Sequence, residues 1–200
     1  MSMRWSIFRR WAIVSILIAM AGQDVRGASL LPTQAVCQCG GGMGSVSAGA
    51  GWRYGAGRRW ETEMIVGIVP RHDSSSTKAV VALKENFVPW SIKCNTCLTF
   101  EPLTASVYFT TILSRKFWLV HPDRYPAGYY PLPTKVRSNL CLGQRLTWHV
   151  PYGKSKVESL SAFYEIGTCD LYAYSAAGNG VIKPRHWLQL CLGIRINFRK

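Results

Sequence analysis

The sequence predicts an all-β, antiparallel fold, a sandwich or a barrel. Three alternations carry that expectation, at residues 91–101, 146–150 and 188–198. The last is the clearest. From Leu188 to Phe198 every even position is apolar, facing Gln189, Cys191, Gly193, Arg195, Asn197 and Arg199 at the odd ones. Successive side chains of a strand point to opposite faces, so this is one long strand with a single apolar face. No stretch of comparable length carries a 3.6-residue apolar stripe.

The elements follow in order. TEMIVGIV (62–69) and KAVVALKENFV (78–88) are β-compatible runs, each ending at a proline, with the polar stretch RHDSSS between them. SIKCNTCLTFE (91–101) places Ile92, Cys94, Leu98 and Phe100 on one face and Ser91, Lys93, Asn95 and Glu101 on the other. ASVYFTTIL and KFWLV continue the pattern. Pro122, Pro126, Pro131 and Pro133 then forbid a regular central strand or helix, so this stretch is expected to be a long exposed loop. Leu146, Trp148 and Val150 form the next apolar face, with Thr147 and His149 opposite. KSKVESLSAFYE (154–165) reads as a helical turn or a loop. Apolar faces of strands are expected to be buried, which puts Trp148 and Ile194 in the core. On that expectation Ile194→Asp is severe and Arg195→Asp mild.

Upstream, residues 37–58 are rich in glycine and read as a flexible arm or linker. A phosphate loop does not fit, because neither GxGxxG nor GxxxxGK[ST] aligns there. Residues 1–27 resemble an export signal: Arg4, Arg9 and Arg10 precede an apolar run from Trp11 to Gly22, and Val25 and Gly27 stand before a possible cut ahead of Ala28. That run is too short for a helix spanning a bilayer, and no stable membrane span is expected. The expected division is therefore 1–27 signal-like segment, 28–61 arm, and 62–200 β-domain.

The chain carries a formal charge of +14, which favours acidic partners. The basic residues are dispersed; within the arm, Arg53, Arg58 and Arg59 are the candidates for contacting RNA or another polyanion. Seven cysteines leave at least one thiol unpaired in an exported protein, where at least two of Cys94, Cys97, Cys141, Cys169 and Cys191 are expected to be oxidised. CNTC at 94–97 has metal-ligand spacing but no second pair follows, so no metal and no cofactor are expected. His72, His121, His149 and His186 lie in no catalytic motif, and no enzyme is expected.

The order of pieces resembles the jelly-roll capsid subunit of picornavirus-like RNA viruses over about residues 86–200. Phe117-Trp118-Leu119-Val120 leads into the Pro-rich stretch from His121 to Gly128. Leu146–Val150 leads into Pro151-Tyr152, then Ala162-Phe163-Tyr164-Glu165-Ile166-Gly167, and the 188–198 strand resembles the family's last one. The resemblance implies a jelly-roll-like two-sheet sandwich behind the Gly-rich arm, assembling through loops and sheet edges with other copies or related subunits in a virion. Tyr125, Pro126, Tyr129, Tyr130 and Pro131 are the implied interface candidates. From the residues alone, the alternative is a secreted, disulfide-containing basic β-sandwich that binds a polyanionic glycan or a cell-surface receptor.

Overall fold

A computed structural model describes residues 31–70, 77–113, 136–151, 156–170 and 187–199. Nine strands are formed there: β1 (Gln34–Gly40), β2 (Val46–Tyr54), β3 (Trp60–Val69), β4 (Lys78–Phe87), β5 (Ile92–Lys93), β6 (Leu98–Leu113), β7 (Val136–His149), β8 (Val157–Cys169) and β9 (Gln189–Phe198). They lie in one sheet in the order β4-β3-β2-β1-β9-β8-β7-β6-β5, and a further pairing of β4 with β6 closes it. The result is a closed, antiparallel, eight-stranded barrel, with β5 added as a short hairpin arm on β6. Closure removes the open edges that a sheet otherwise exposes.

This corrects the expected jelly-roll-like sandwich. Alternation along single strands is common to both architectures, and only the pairing of β4 with β6 and of β1 with β9 distinguishes a ring from two stacked sheets. The Gly-rich segment is corrected too. It holds β1 and β2, paired from Gln34↔Gly51 to Cys39↔Val46, and is part of the barrel wall rather than a flexible arm. Residues 157–165, expected as a turn or loop, belong to β8. Serines at 159 and 161 fill its inward positions and weaken the apolar signal without breaking the period.

The faces are also reversed. Ile194 is 59% exposed and Arg195 is 1%; Trp148 is 52% exposed and Thr147 is 6%. Alternation fixes the period of a strand but carries no information on which side is enclosed. Inward positions hold Gln34, Gln38, Ser47, Glu61, Glu63, Lys84, Asn86, Ser106, Asn139, Arg145, Ser161, Glu165, Arg195 and Asn197, all buried. A smaller apolar cluster of Val36, Met43, Ile65, Ala82, Tyr108, Cys141 and Phe163 shares the interior.

Space inside is tight. An eight-stranded barrel is just wide enough for side chains to fill it, and inward glycines make room for the larger ones. A Cβ at Gly193 would lie 2.3 Å from Phe163 Cζ, and one at Gly67 would lie 1.9 Å from the Met43 carbonyl oxygen. Gly67 thus lets the β1–β2 turn (41–45) fold into the ring. That turn places Met43 at 1% exposure, and the Gly42 amide donates to Tyr108 Oη at 3.2 Å. On β6 the register shifts between Glu101 and Thr104, at Pro102, which has no amide hydrogen to donate. The shift changes the inward phase to Thr104, Ser106, Tyr108 and Thr110.

Gly193→Ala is expected to destabilise the barrel by about 1–3 kcal/mol through overpacking against Phe163. Phe163→Leu in the same chain should recover part of the loss, read as denaturant midpoints of the single and double variants.

Candidate functional site

Two surfaces carry the chemistry of this barrel: a charged interior and an apolar wall. The interior is organised around Glu61 on β3. Arg145 on β7 grips it with two parallel bonds, Nη1 to Oε1 and Nη2 to Oε2, both 2.8 Å. Arg195 on β9 donates Nη1 to Glu61 Oε2 at 2.6 Å and places Nη2 2.7 Å from Glu63 Oε1. Gln34 Nε2 on β1 donates to Glu63 Oε1 at 2.9 Å, and Arg145 Nε lies 3.1 Å from Glu101 Oε2. Strands on opposite sides of the ring are therefore tied through its centre.

A second group lies beside the first. Lys84 Nζ on β4 reaches both oxygens of Glu165 on β8, at 2.8 and 2.6 Å, and Ser106 Oγ donates to Glu165 Oε1 at 2.9 Å. The Phe163 ring links the two groups, with Lys84 Nζ 5.3 Å and Arg195 Cζ 5.2 Å from its centroid. Both cations thus gain from its π face. Taking charges out of water is costly unless each finds its partner, and these do. The same side chains, together with Met43, Ile65 and Tyr108, fill the lumen.

The outer wall is the opposite. Among the described residues, twenty large apolar side chains are exposed, including Met64, Val66 and Ile68 on β3, Leu140, Leu142 and Leu146 on β7, Leu160 and Ile166 on β8, and Leu190, Leu192 and Ile194 on β9. Several polar groups on this wall are paired with one another. Tyr164 Oη donates to Gln144 Oε1 at 2.8 Å, and the Glu85 carboxylate accepts from Tyr54 and Thr62.

The ends of the barrel differ. β1 starts and β9 finishes at one end, where the connections 55–59, 88–97 and 150–156 also lie. β3, β6 and β8 finish and β4, β7 and β9 start at the other end, which also holds the inserted 41–45 turn. Outward aromatic side chains gather toward the first end: Trp52 pairs with Thr62, Tyr54 with Trp60, Trp60 with Phe87, and Leu98 with Trp148. The Trp60 and Phe87 rings stack at 4.5 Å.

The sequence-derived arginine candidates do come together at that same end. Arg53 closes β2, Arg58 and Arg59 form the following turn, and all three line a cavity of about 440 Å³. Arg53 Nη2 is 2.8 Å from Glu158 Oε2, and Arg58 Nη1 is 3.5 Å from Glu158 Oε1. Tyr125, Pro126, Tyr129, Tyr130 and Pro131 lie outside the described residues, as do His72, His121, His186 and the signal-like segment 1–27. His149, expected on the uncovered face, turns inward at the barrel end and shares a 2.9 Å bond with Thr99 Oγ1.

All seven cysteines are free: Cys37 and Cys39 lie on the outer side of β1, and Cys141, Cys169 and Cys191 are buried. Among the described residues no group of three or more His, Cys, Asp or Glu is placed to hold a metal. The ion pairs of the lumen escaped the sequence reading because each joins residues far apart, such as Glu61 and Arg195. The available signal was the set of charged residues interleaved in strand alternations, at 61, 63, 84, 145, 165 and 195.

No family model matches this chain, and neither a curated protein nor a solved structure matches it significantly. Among the described residues no helix is long and apolar enough to cross a membrane.

Replacing Arg195 with Ala leaves Glu61 short of one partner and Glu63 without its cation, and is expected to cost about 3–5 kcal/mol. Adding Glu63→Gln should return part of that loss. Equilibrium unfolding followed by tryptophan fluorescence, arranged as a double-mutant cycle, measures both effects.

Proposed function

We propose that this chain is a transmembrane β-barrel, crossing a lipid bilayer with eight strands around a filled lumen. The observation that carries the reading is the inverted pattern of burial: ion pairs inside and Leu, Ile, Val and Met outside. A soluble monomer seldom exposes an apolar patch beyond a few hundred Å², and this one surrounds the barrel. In hydrocarbon the same wall is well solvated, and ring closure satisfies the strand amides that lipid cannot. β3, β4 and β9 have 10 residues each and β2 has 9, matching the roughly 9–11 that a tilted strand needs to cross a bilayer.

Other features support it. The number of strands in the ring is even, and the start of β1 and the finish of β9 share one end. Trp52, Tyr54, Trp60, Phe87 and Trp148 gather as an aromatic band near the terminal end, where amphipathic rings suit a membrane–water interface. The signal-like residues 1–27 would supply the export step such a barrel requires. Because side chains occupy the lumen, the role this geometry favours is a membrane-anchored scaffold displaying its connecting segments, rather than an open aqueous pore. The capsid reading drew its physical sense from two stacked sheets, which this chain does not form.

The test is fractionation. The expressed chain should remain in the membrane pellet through carbonate and urea washes and leave it only with detergent. Unboiled and boiled samples should migrate differently on semi-native gels. A chain that stays monomeric in detergent-free buffer with an intact β-sheet circular dichroism spectrum would overturn the proposal.

Within that setting, Ile194→Arg puts a charge on the lipid face and should reduce stability by about 2–4 kcal/mol if the residue sits near the bilayer midplane. Urea titration of the lipid-refolded chain reads this directly.

A further inference from the structure

We propose that the cavity at the terminal end of the barrel is a binding site for a small organic dianion, carrying a phosphate or two carboxylates beside an apolar group. The cavity holds about 440 Å³, within the usual range for small-molecule sites. Its cations are Arg53, Arg58, Arg59, Lys93 and Arg145, and its carboxylates are Glu61, Glu101 and Glu158.

The three carboxylates are already engaged. Arg145 and Arg195 hold Glu61, Arg145 Nε faces Glu101, and Arg53 and Arg58 share Glu158. Among the described residues this leaves Arg59 and Lys93 with no carboxylate within ion-pair distance. Two unmatched cations beside one cavity call for two negative charges. Arg53, which lines the same cavity, also has a buried Nε with no acceptor. Guanidinium groups favour planar or tetrahedral oxyanions because their fork matches two oxygens at once.

The rest of the lining defines the remainder of the ligand. Val88 and Trp90 give an apolar side, and Trp90 is exposed enough to take a ring or a short hydrocarbon against it. Thr99, Thr147, His149 and Asn197 offer polar groups nearer the lumen, and Ser91 one at the exposed rim. The site depends on the closed barrel alone and not on the bilayer reading. It brings together β2, the β2–β3 turn, β5 and β7, which only the ring makes neighbours.

The experiment titrates the full refolded chain with phenyl phosphate and, separately, with succinate, by calorimetry at low salt. At least one probe should bind saturably at a single site, with a dissociation constant of about 1 mM or tighter. Arg59→Ala combined with Lys93→Ala should weaken that binding at least about tenfold, as expected for losing charge-assisted bonds. Lys78→Ala, which removes a cation at the opposite end of the barrel, should leave it unchanged. Phenyl phosphate alone binding identifies a phosphate ligand, and succinate alone a dicarboxylate. No saturable binding of either probe overturns the proposal. So does an equal loss in the Lys78 variant, which would reduce the effect to net charge. Circular dichroism of each variant confirms that the barrel is folded when the titration is made.

Discussion

The whole architecture hangs on the Glu61 carboxylate, held from two sides by Arg145 and Arg195. Those guanidiniums come from β7 and β9, while Glu61 stands on β3 across the ring. A barrel closed only by backbone bonds would resist bending along each strand pair and little else. Cross-lumen ion pairs add struts. Their strength comes from exclusion of water, since an unscreened pair interacts far more strongly than one in solvent, and their cost is the desolvation each group must recover from its partner. The interior is therefore intolerant of partial edits: any one charge depends on several others being present.

The limited bore of the ring explains much of the remaining sequence. With Arg, Lys, Glu, Tyr and Phe packed inside, neighbouring inward positions must be small, and Gly193, lying against the Phe163 ring, is one of them. This is why the Gly-rich stretch before residue 58 is wall and not tether. Glycine weakens a strand taken alone, but a strand bonded on both sides and facing a crowded lumen gains from having no side chain. β2 is such a strand, with Gly49 and Gly51 against the side chains of Ile65, Gln34 and Glu63, and it is paired along its length with β1 and β3.

How far the sequence alone reveals this follows from the same physics. The all-β class and the strand at 188–198 were legible, because a period of two is a local property. β8 was not, since Ser159, Ser161 and Glu165 alternate with Leu160, Ala162, Tyr164 and Ile166 in a way that reads equally as a polar loop. The sense of burial could not be read from Ile194 and Arg195 either; an apolar–polar alternation looks the same whether its apolar side meets a core or a membrane. Closure was invisible because it lies in pairings such as Val36↔Arg195 and Leu83↔Phe109, which no local window contains. The convergence of Arg53, Arg58 and Arg59 at one barrel end was half visible: their charge sits in one short segment, but the cavity they line also needs Lys93, Trp90 and His149 from distant parts of the chain.

The seam between β1 and β9 has its own consequence for biogenesis. The first strand of the ring finds one of its two neighbours only in the last, more than 150 residues later, with Gln34 opposite Asn197 and Gly40 opposite Cys191. Contacts of such long sequence separation form slowly, because a large loop must close before they give anything back. Until β9 has left the ribosome the sheet remains an open ribbon with two unpaired edges and an oily outer face, the state most prone to join another chain. A nascent chain of this design has no stable partial product. It must be kept from premature pairing until its final strand is available, because β9 alone supplies the partner that both β1 and β8 lack.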